Sequence, residues 1–379
     1  MRMQMDFALT ATQTRRYGEI LAEVQKRLTD DAAAMQEKWR VAAELGLTGL
    51  CVPTEYGGCG LGAFDTALGL EAFGRGCPDT GLVFSVSAHL LAGAVPIRDF
   101  GSADLRRELL PGFATGDLIA ANAITEDDAG SDVSRLAVTA RHDVDAYVLD
   151  GEKSFVSNGP VADLMVTYAT TAPNGGFLGI SAFAAPAELD GLTPGEPFEK
   201  MGLAGCSAAR VRFDGCRVPA GYLLGEEGQG SAIFAHAMTW ERACLFAAYL
   251  GMMDEQLERC IAHARERRQF GRPIGKFQAV AHLIAGMKQR LEGARLLLYR
   301  ACWLIDEQRS GQVAAAALAK VAVSEAAVAN SLDAIQIFGA AGYLVPGGVE
   351  RYLRDAIPAK LFSGTTEIQR EIIAQDVGL

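Results

Sequence analysis

The hydrophobic period of the chain changes twice, and no other feature of the sequence constrains the fold as strongly. Up to about residue 118, apolar side chains recur at helical spacing. Residues 119–228 hold short alternating runs separated by Gly, Pro, Asn and Asp, which is typical of antiparallel β-structure. Long helical patterns with few breakers return after that. The sequence therefore predicts an α+β fold with a helical N-terminal domain (1–118), a middle antiparallel β domain (119–228) and a C-terminal helical bundle (229–379).

The composition excludes several classes of protein. Half of the 379 residues are hydrophobic and 21% are charged, which is enough apolar material for a large core. A net charge of −11 leaves no excess positive field to neutralise phosphates, so a general nucleic-acid binder is not expected. The N-terminal residues do not resemble a signal peptide, and no apolar run of about 20 uncharged residues predicts a membrane span. We therefore expect a cytoplasmic protein.

Cysteine and histidine are scattered along the chain. The eight cysteines include no CxxC pair, which indicates reduced and mostly buried thiols. None of the five histidines has ligand spacing to a second His or Cys. The sequence therefore predicts no metal site.

Glu241 is a carboxylate in an unusually apolar stretch. Between Met238 and Met253 it and Arg242 are the only charged residues. A carboxylate with apolar neighbours loses hydration, so its pKa is expected to rise toward the range of a general base. Arg242 does not simply neutralise it, because adjacent residues of a helix point in different directions. From these residues alone, a structural ion pair between helices is the favoured interpretation, and a general base is the alternative.

Five further motifs lie in one order along the chain: ITEDDAGSD (124–132), GEKSFVSNGPVAD (151–163), RERRQFGRPIGKFQAV (265–280), DAIQIFGAAGY (333–343) and SGTTEIQREIIA (363–374). In this order they resemble the acyl-CoA dehydrogenase family over essentially the whole chain. The resemblance implies the three domains predicted above, an FAD cofactor and a homotetramer. No G-x-G-x-x-G opens a βαβ unit, so a nicotinamide dehydrogenase is not supported.

The resemblance also implies which residue is the base. Most family members place a Glu immediately before the Gly-Thr of the C-terminal motif, where this chain has Ser363. The isovaleryl and long-chain branches instead place it on the first helix of the C-terminal domain, followed by Arg. That position here is Glu241. The backbone N–H of Ser363 would then stabilise the thioester oxygen, and its side chain would be free to vary.

The cofactor contacts implied by the resemblance fall into three groups. Those around the isoalloxazine ring are Ile124, Thr125, Gly130, Ser131, Phe155 and Ser157. Those for the adenine–pyrophosphate half, largely across a subunit interface, are Arg267, Gln269, Phe270, Ile274, Gln278, Gln336 and Gly339. Those from the C-terminal segment are Thr365 and Glu367. Without the motif order, the hydroxyls would be ordinary turn groups and the arginines a solvated charge run.

Several segments resemble one branch of the family more narrowly. MTWERACLFAAYLGMM, LYRACW, GFLGISAF, LIAANAITE, the FSGT segment and Cys206 are similar to the prolyl-carrier-protein dehydrogenases of pyrrole natural-product (antibiotic) pathways. That branch oxidises an L-prolyl thioester on a peptidyl carrier protein to the pyrrole-2-carboxyl thioester. Ala204 departs from the family, where many members have Arg. The alternatives are a short- or branched-chain acyl-CoA dehydrogenase, a catalytically altered flavin-binding relative and a monooxygenase on this fold. The sequence does not indicate the electron acceptor.

Overall fold

The computed structural model describes residues 8–29 and 33–379. These residues contain twelve α-helices and ten β-strands. The helices are α1 (Ala11–Arg27), α2 (Met35–Glu44), α3 (Ala63–Gly76), α4 (Thr80–Ala88), α5 (Val95–Phe100), α6 (Ala103–Thr115), α7 (Gly230–Cys244), α8 (Ala247–Glu266), α9 (Gln278–Asp306), α10 (Gln312–Phe338), α11 (Val349–Ala356) and α12 (Thr366–Asp376). The strands are β1 (Ala120–Ala123), β2 (Thr139–Asp143), β3 (Ala146–Ser157), β4 (Leu164–Thr170), β5 (Ile180–Pro186), β6 (Leu192–Pro194), β7 (Ala208–Pro219), β8 (Leu223–Leu224), β9 (Arg268–Gln269) and β10 (Arg272–Pro273). The expectation about a signal peptide rests partly on residues 1–7, which lie outside the described residues.

The order of helices, sheet and helices confirms the predicted α+β architecture. One hydrophobic cluster joins the two helical parts, with Phe73 from the first and Leu250 and Leu298 from the second. A second cluster lies between the sheet and the helices and includes Tyr168 of β4 and Ile233 of α7. The sheet therefore packs one face against helices from both ends of the chain.

The sheet is mixed, so the prediction of a wholly antiparallel domain is wrong in one part. The strand order is β6-β7-β3-β2-β4-β5-β8, and most neighbours are antiparallel. However, β1 pairs with β4 in parallel, with Ala120 opposite Leu164, and β2 meets β4 in parallel at one pair. Residues 124–163 separate β1 from β4. A parallel pair needs such a long crossover, and alternation within each strand carries no information about it.

The long helical pattern that begins at residue 230 is interrupted. Helix α7 ends at Cys244, and α8 begins at Ala247 after a turn at Leu245 and Phe246. The Phe246 ring lies 5.4 Å from the ring of Phe362, which belongs to the loop before α12. Packing between two aromatic rings that are far apart in the sequence thus accompanies the break in the helix, which the local apolar pattern does not predict.

A π-helical segment, His89–Ala94, connects α4 to α5 and holds β1 in place. The His89 ring is wholly buried, and its Nδ1 accepts a hydrogen bond of 3.0 Å from the Ala120 N–H. Its Nε2 is 3.3 Å from the Phe113 carbonyl, which accepts from the neutral ring. Burial lowers the pKa of His89 to about 4. The start of β1 is therefore tied to the N-terminal helices by an uncharged imidazole.

Two helical stretches are long and apolar enough to cross a membrane by length and composition: Thr80–Phe100 and Gln312–Tyr343. The first contains an uncharged run that the sequence argument overlooked. In the most apolar window of each stretch, 94% and 56% of the residues are buried inside the fold. The first stretch is thus a core helix of this fold.

Candidate active site

A cavity of about 790 Å³ lies where the three parts of the chain meet. Its wall includes Phe84 of α4, Asn122 of β1, Met238 of α7 and Phe362 of the C-terminal loop. Nine of the seventeen predicted site residues line it: Glu241, Ser363, Ile124, Thr125, Gly130, Ser131, Phe155, Ser157 and Thr365. The structure thus brings the predicted base and the predicted ring contacts to one cavity.

The other eight predicted residues are not among the described residues that line this cavity: Arg267, Gln269, Phe270, Ile274, Gln278, Gln336, Gly339 and Glu367. Most lie at the β9–β10 hairpin, at the start of α9 and at the end of α10, where all but Ile274 are exposed. The side chain of Phe270 is 92% exposed. Their assignment to a site completed by a second subunit stays a prediction.

Glu241 and Ser363 form the polar centre of the cavity wall. Glu241 is 7% exposed, and its Oε1 accepts a hydrogen bond from the Ser363 hydroxyl. Arg242 does not turn toward its neighbour. Its Nε donates instead to the Ser363 carbonyl at 2.9 Å. The sequence argument gave the Ser363 side chain no role, and this contact corrects it, because the hydroxyl holds one oxygen of the carboxylate.

The electrostatics of Glu241 fit a base. Burial raises the pKa of Glu241, while the Ser363 hydroxyl and the Arg242 charge lower it less strongly. Burial also lowers the pKa of Arg242 to about 10. A carboxylate of raised pKa binds a proton more readily than an exposed one, which is what proton abstraction requires.

The loop that carries Ser363 has a fixed backbone. Ser363 and Gly364 both have positive φ, 56° and 83°. The buried Gln369 side chain donates to the carbonyls of both residues, at 3.3 and 3.1 Å, and Thr365 caps α12. Among the described residues, the Ser363 N–H has no acceptor, so it is available to a ligand oxygen.

A buried ion pair that the sequence argument missed anchors the loop of residues 124–132. The wholly buried Lys153 donates to Glu126 at 2.7 Å and to the Ile124 carbonyl at 2.9 Å. Glu126 also accepts from the Val138 N–H at 3.0 Å. Burial lowers the pKa of Lys153 to about 8. The sequence contained one signal for this pair: Lys153 lies among strand-forming residues of the motif 151–163, and Glu126 lies in the motif 124–132.

Ser363→Ala is expected to move the acid limb of the pH–rate profile to higher pH. A base at Glu241 would abstract a proton only when ionised, so activity would fall as the pH drops through its raised pKa. Without the Ser363 hydroxyl, the carboxylate loses a stabilising bond and stays protonated to higher pH. Activity on the acid side should fall by about tenfold relative to wild type, with little change on the alkaline side, since the backbone N–H remains. An unchanged acid limb in kcat/KM profiles of both proteins would contradict this role.

Comparison with known proteins gives matches along the whole chain. The models of the acyl-CoA dehydrogenase N-terminal, middle and C-terminal domains match residues 11–117, 121–216 and 228–378. An L-prolyl-[peptidyl-carrier protein] dehydrogenase of Pseudomonas fluorescens is 54% identical over 343 residues, 90% of each chain. The solved structure of PigA with FAD and proline has a TM-score of 0.94 and 42% identity and covers 99% of this chain and 100% of that one. The prolyl acyl carrier protein oxidase AnaB has a TM-score of 0.96 and 39% identity, with 98% and 100% covered.

Proposed function

The chain belongs to the acyl-CoA dehydrogenase family, and from this premise we propose that it is an FAD-dependent dehydrogenase of a carrier-bound thioester. The substrate is an L-prolyl group on a peptidyl carrier protein, and the product is the pyrrole-2-carboxyl thioester. The observation that carries the proposal is the buried Glu241, held by Ser363 at a cavity where the three domains meet. The names of the relatives support the substrate. The proposed setting is the cytoplasm.

The cavity fits the ring system of FAD. Its volume lies in the range of cofactor sites. The buried Oδ1 of Asn122 has no hydrogen-bond partner among the described residues, so an acceptor is free at the wall. Phe155 offers a 64% exposed aromatic face, and the hydroxyls of Thr125 and Ser157 lie on the same wall. When bound, FAD supplies the acceptor for the hydride that leaves the β-carbon.

The residues of the chain handle the proton and the carbonyl oxygen. The α-proton of a thioester is removable when negative charge on its carbonyl oxygen is stabilised, and the free N–H of Ser363 is the donor for that oxygen. Since the Ser363 hydroxyl occupies Oε1 of Glu241, the second carboxylate oxygen takes the α-proton. The apolar wall excludes water, which keeps the carboxylate basic.

A smaller cavity of about 320 Å³ gives the thioester arm a path to the surface. It shares Ile124, Phe234, Met238 and Arg242 with the larger cavity. Its outer end reaches Phe177, between β4 and β5, which is 57% exposed. Among the described residues of its wall, Arg242 is the only charged one, and it lies at the shared inner end. Apart from Arg242, the described residues of this wall offer no cation for the phosphates of coenzyme A, which supports a carrier protein as the thiol partner.

Leu178→Ser is expected to raise KM for the carrier-bound substrate by about fivefold, the effect of losing a moderate interface contact. Leu178 is 81% exposed beside Phe177, so serine should not unfold the protein. KM for a prolyl pantetheine thioester without the protein should not change. Val144→Ser, at another exposed apolar residue (90%), is the matched control. Equal effects of Leu178→Ser on both substrates would contradict docking of a carrier at this position.

The proposed reaction is tested by the mass of the prolyl group on a carrier protein before and after incubation with the enzyme. A loss of four hydrogens is expected: each flavin reduction removes one pair, and an external electron acceptor must reoxidise the flavin between the two steps. If free acyl-CoA esters bleach the flavin absorbance and the prolyl carrier does not, the enzyme is instead an acyl-CoA dehydrogenase. Absence of bleaching by any thioester would indicate a flavin-binding relative without this activity, and consumption of oxygen with its insertion into product would indicate a monooxygenase.

A homotetramer is part of the same proposal. Phe270 forms the tip of the β9–β10 hairpin with a positive φ of 47° and a 92% exposed ring. A strained, exposed aromatic residue of this kind is stabilised when a second surface covers it. A second subunit that does so would bring Arg267 and Gln269 of the same hairpin to a neighbouring cofactor.

A further inference from the structure

Tyr168 lies in the wall of the path proposed for the thioester arm. It is on β4, its side chain is wholly buried, and its ring meets Phe234 of α7 edge-on with centroids 5.4 Å apart. Both residues line the smaller cavity. Tyr168 is not among the described residues that line the larger cavity with Glu241. It is therefore placed beside the arm rather than at the reacting carbons.

The hydroxyl of Tyr168 has no hydrogen-bond partner among the described residues, although it is buried. Buried polar groups in folded proteins almost always have one, and phenylalanine would fill the same space without an unpaired donor. Burial raises the pKa of the hydroxyl, and the negative charge of Glu241 raises it further. The group therefore stays protonated and able to donate at neutral pH.

Two other polar side chains are described in this wall, and each has a partner for at least one of its donors. The Ser231 hydroxyl donates to the Phe177 carbonyl at 2.7 Å, and Arg242 donates to the Ser363 carbonyl. The remaining described lining residues have no polar side-chain group. An arm that passes through this cavity thus meets one unengaged hydroxyl donor, on Tyr168.

We propose that the Tyr168 hydroxyl donates a hydrogen bond to an amide carbonyl of the pantetheine arm and so fixes how far the thioester enters. This inference rests on the proposed function. The arm has two amides, and each carbonyl loses its water on entering an apolar passage. One donor in the wall compensates one of them. Tyr168 is a binding residue for the arm, and it takes no proton in the reaction.

Tyr168→Phe tests the proposal because it removes only the oxygen. KM for the prolyl carrier protein should rise by about three- to tenfold, the effect of one neutral hydrogen bond, with kcat nearly unchanged. The Tm of the ligand-free holoenzyme should stay the same or rise, since no internal bond is lost. An unchanged KM would overturn the proposal. A fall in Tm without a change in KM would also overturn it, because it would show an internal partner for the hydroxyl.

Two controls test whether a rise in KM comes from the lost contact with the pantetheine arm. Tyr147→Phe removes a hydroxyl from β3 that already donates to Glu227 at 3.0 Å, and it should leave KM unchanged. Prolyl ethyl thioester has no pantetheine amide, so Tyr168→Phe should turn it over as wild type does. An equal loss on this small substrate would overturn the proposal. If the wild-type enzyme oxidises no prolyl thioester, the proposed function itself has failed, whatever the variant does.

Discussion

Glu241→Gln should lower kcat for the prolyl thioester by about 10²–10⁴-fold, the contribution of a positioned base. That loss corresponds to about 3–5 kcal/mol of activation free energy. Glutamine keeps the size of the side chain and an oxygen that accepts from the Ser363 hydroxyl, so the cavity and its flavin should remain. The loss is measured as the rate of flavin reduction in a single turnover, with flavin content determined from the visible spectrum.

Glu199→Gln is the matched control, because it removes a carboxylate from an exposed residue at the rim of the same cavity. It should reduce the flavin at nearly the wild-type rate. Normal flavin reduction by Glu241→Gln would refute the assignment of the base. Loss of flavin from that variant would instead point to a structural role for the carboxylate.

Glu126→Ala should lower the free energy of unfolding by about 3–5 kcal/mol, as when one partner of a buried ion pair is removed. Lys153 would be left wholly buried without its carboxylate, and the Val138 N–H would lose its acceptor. Chemical denaturation of the purified protein measures the effect. Flavin content should fall as well, because this pair anchors the loop that carries the predicted ring contacts.

The double variant Glu126→Ala with Lys153→Met serves as the comparison. Because this variant has no unpaired ammonium group at position 153, it should be more stable than Glu126→Ala alone. If both proteins are destabilised equally, the loss comes from the backbone hydrogen bonds of Glu126 and not from the unpaired ammonium group.

The parts of the site that depend on local sequence could be predicted, and those that depend on distant contacts could not. Burial of Glu241 follows from its apolar neighbours, whichever element packs on them. Its contact with Ser363 joins positions 122 residues apart, and no local pattern contains that information. The same holds for the Glu126–Lys153 pair and for the parallel placement of β1, which are set by tertiary packing.

The adenine-half residues show a different limit. A motif was the basis for assigning cofactor contacts to Arg267, Gln269 and Phe270. In a single subunit these residues lie exposed at the β9–β10 hairpin. Their role depends on how subunits assemble, which neither hydrophobic period nor the fold of a single chain determines. The break between α7 and α8 was missed because both sides of it are equally apolar and helix-favouring.

The parallel pairing of β1 with β4 bears on how the molecule matures after synthesis. Ala120 can pair with Leu164 only after the residues between them, which include the β2–β3 hairpin, have been synthesised. Contacts of such high sequence separation form slowly compared with helical turns. We therefore expect the part of the cavity wall formed by β1 to become ordered later than the helices, so that uptake of the flavin follows helix formation.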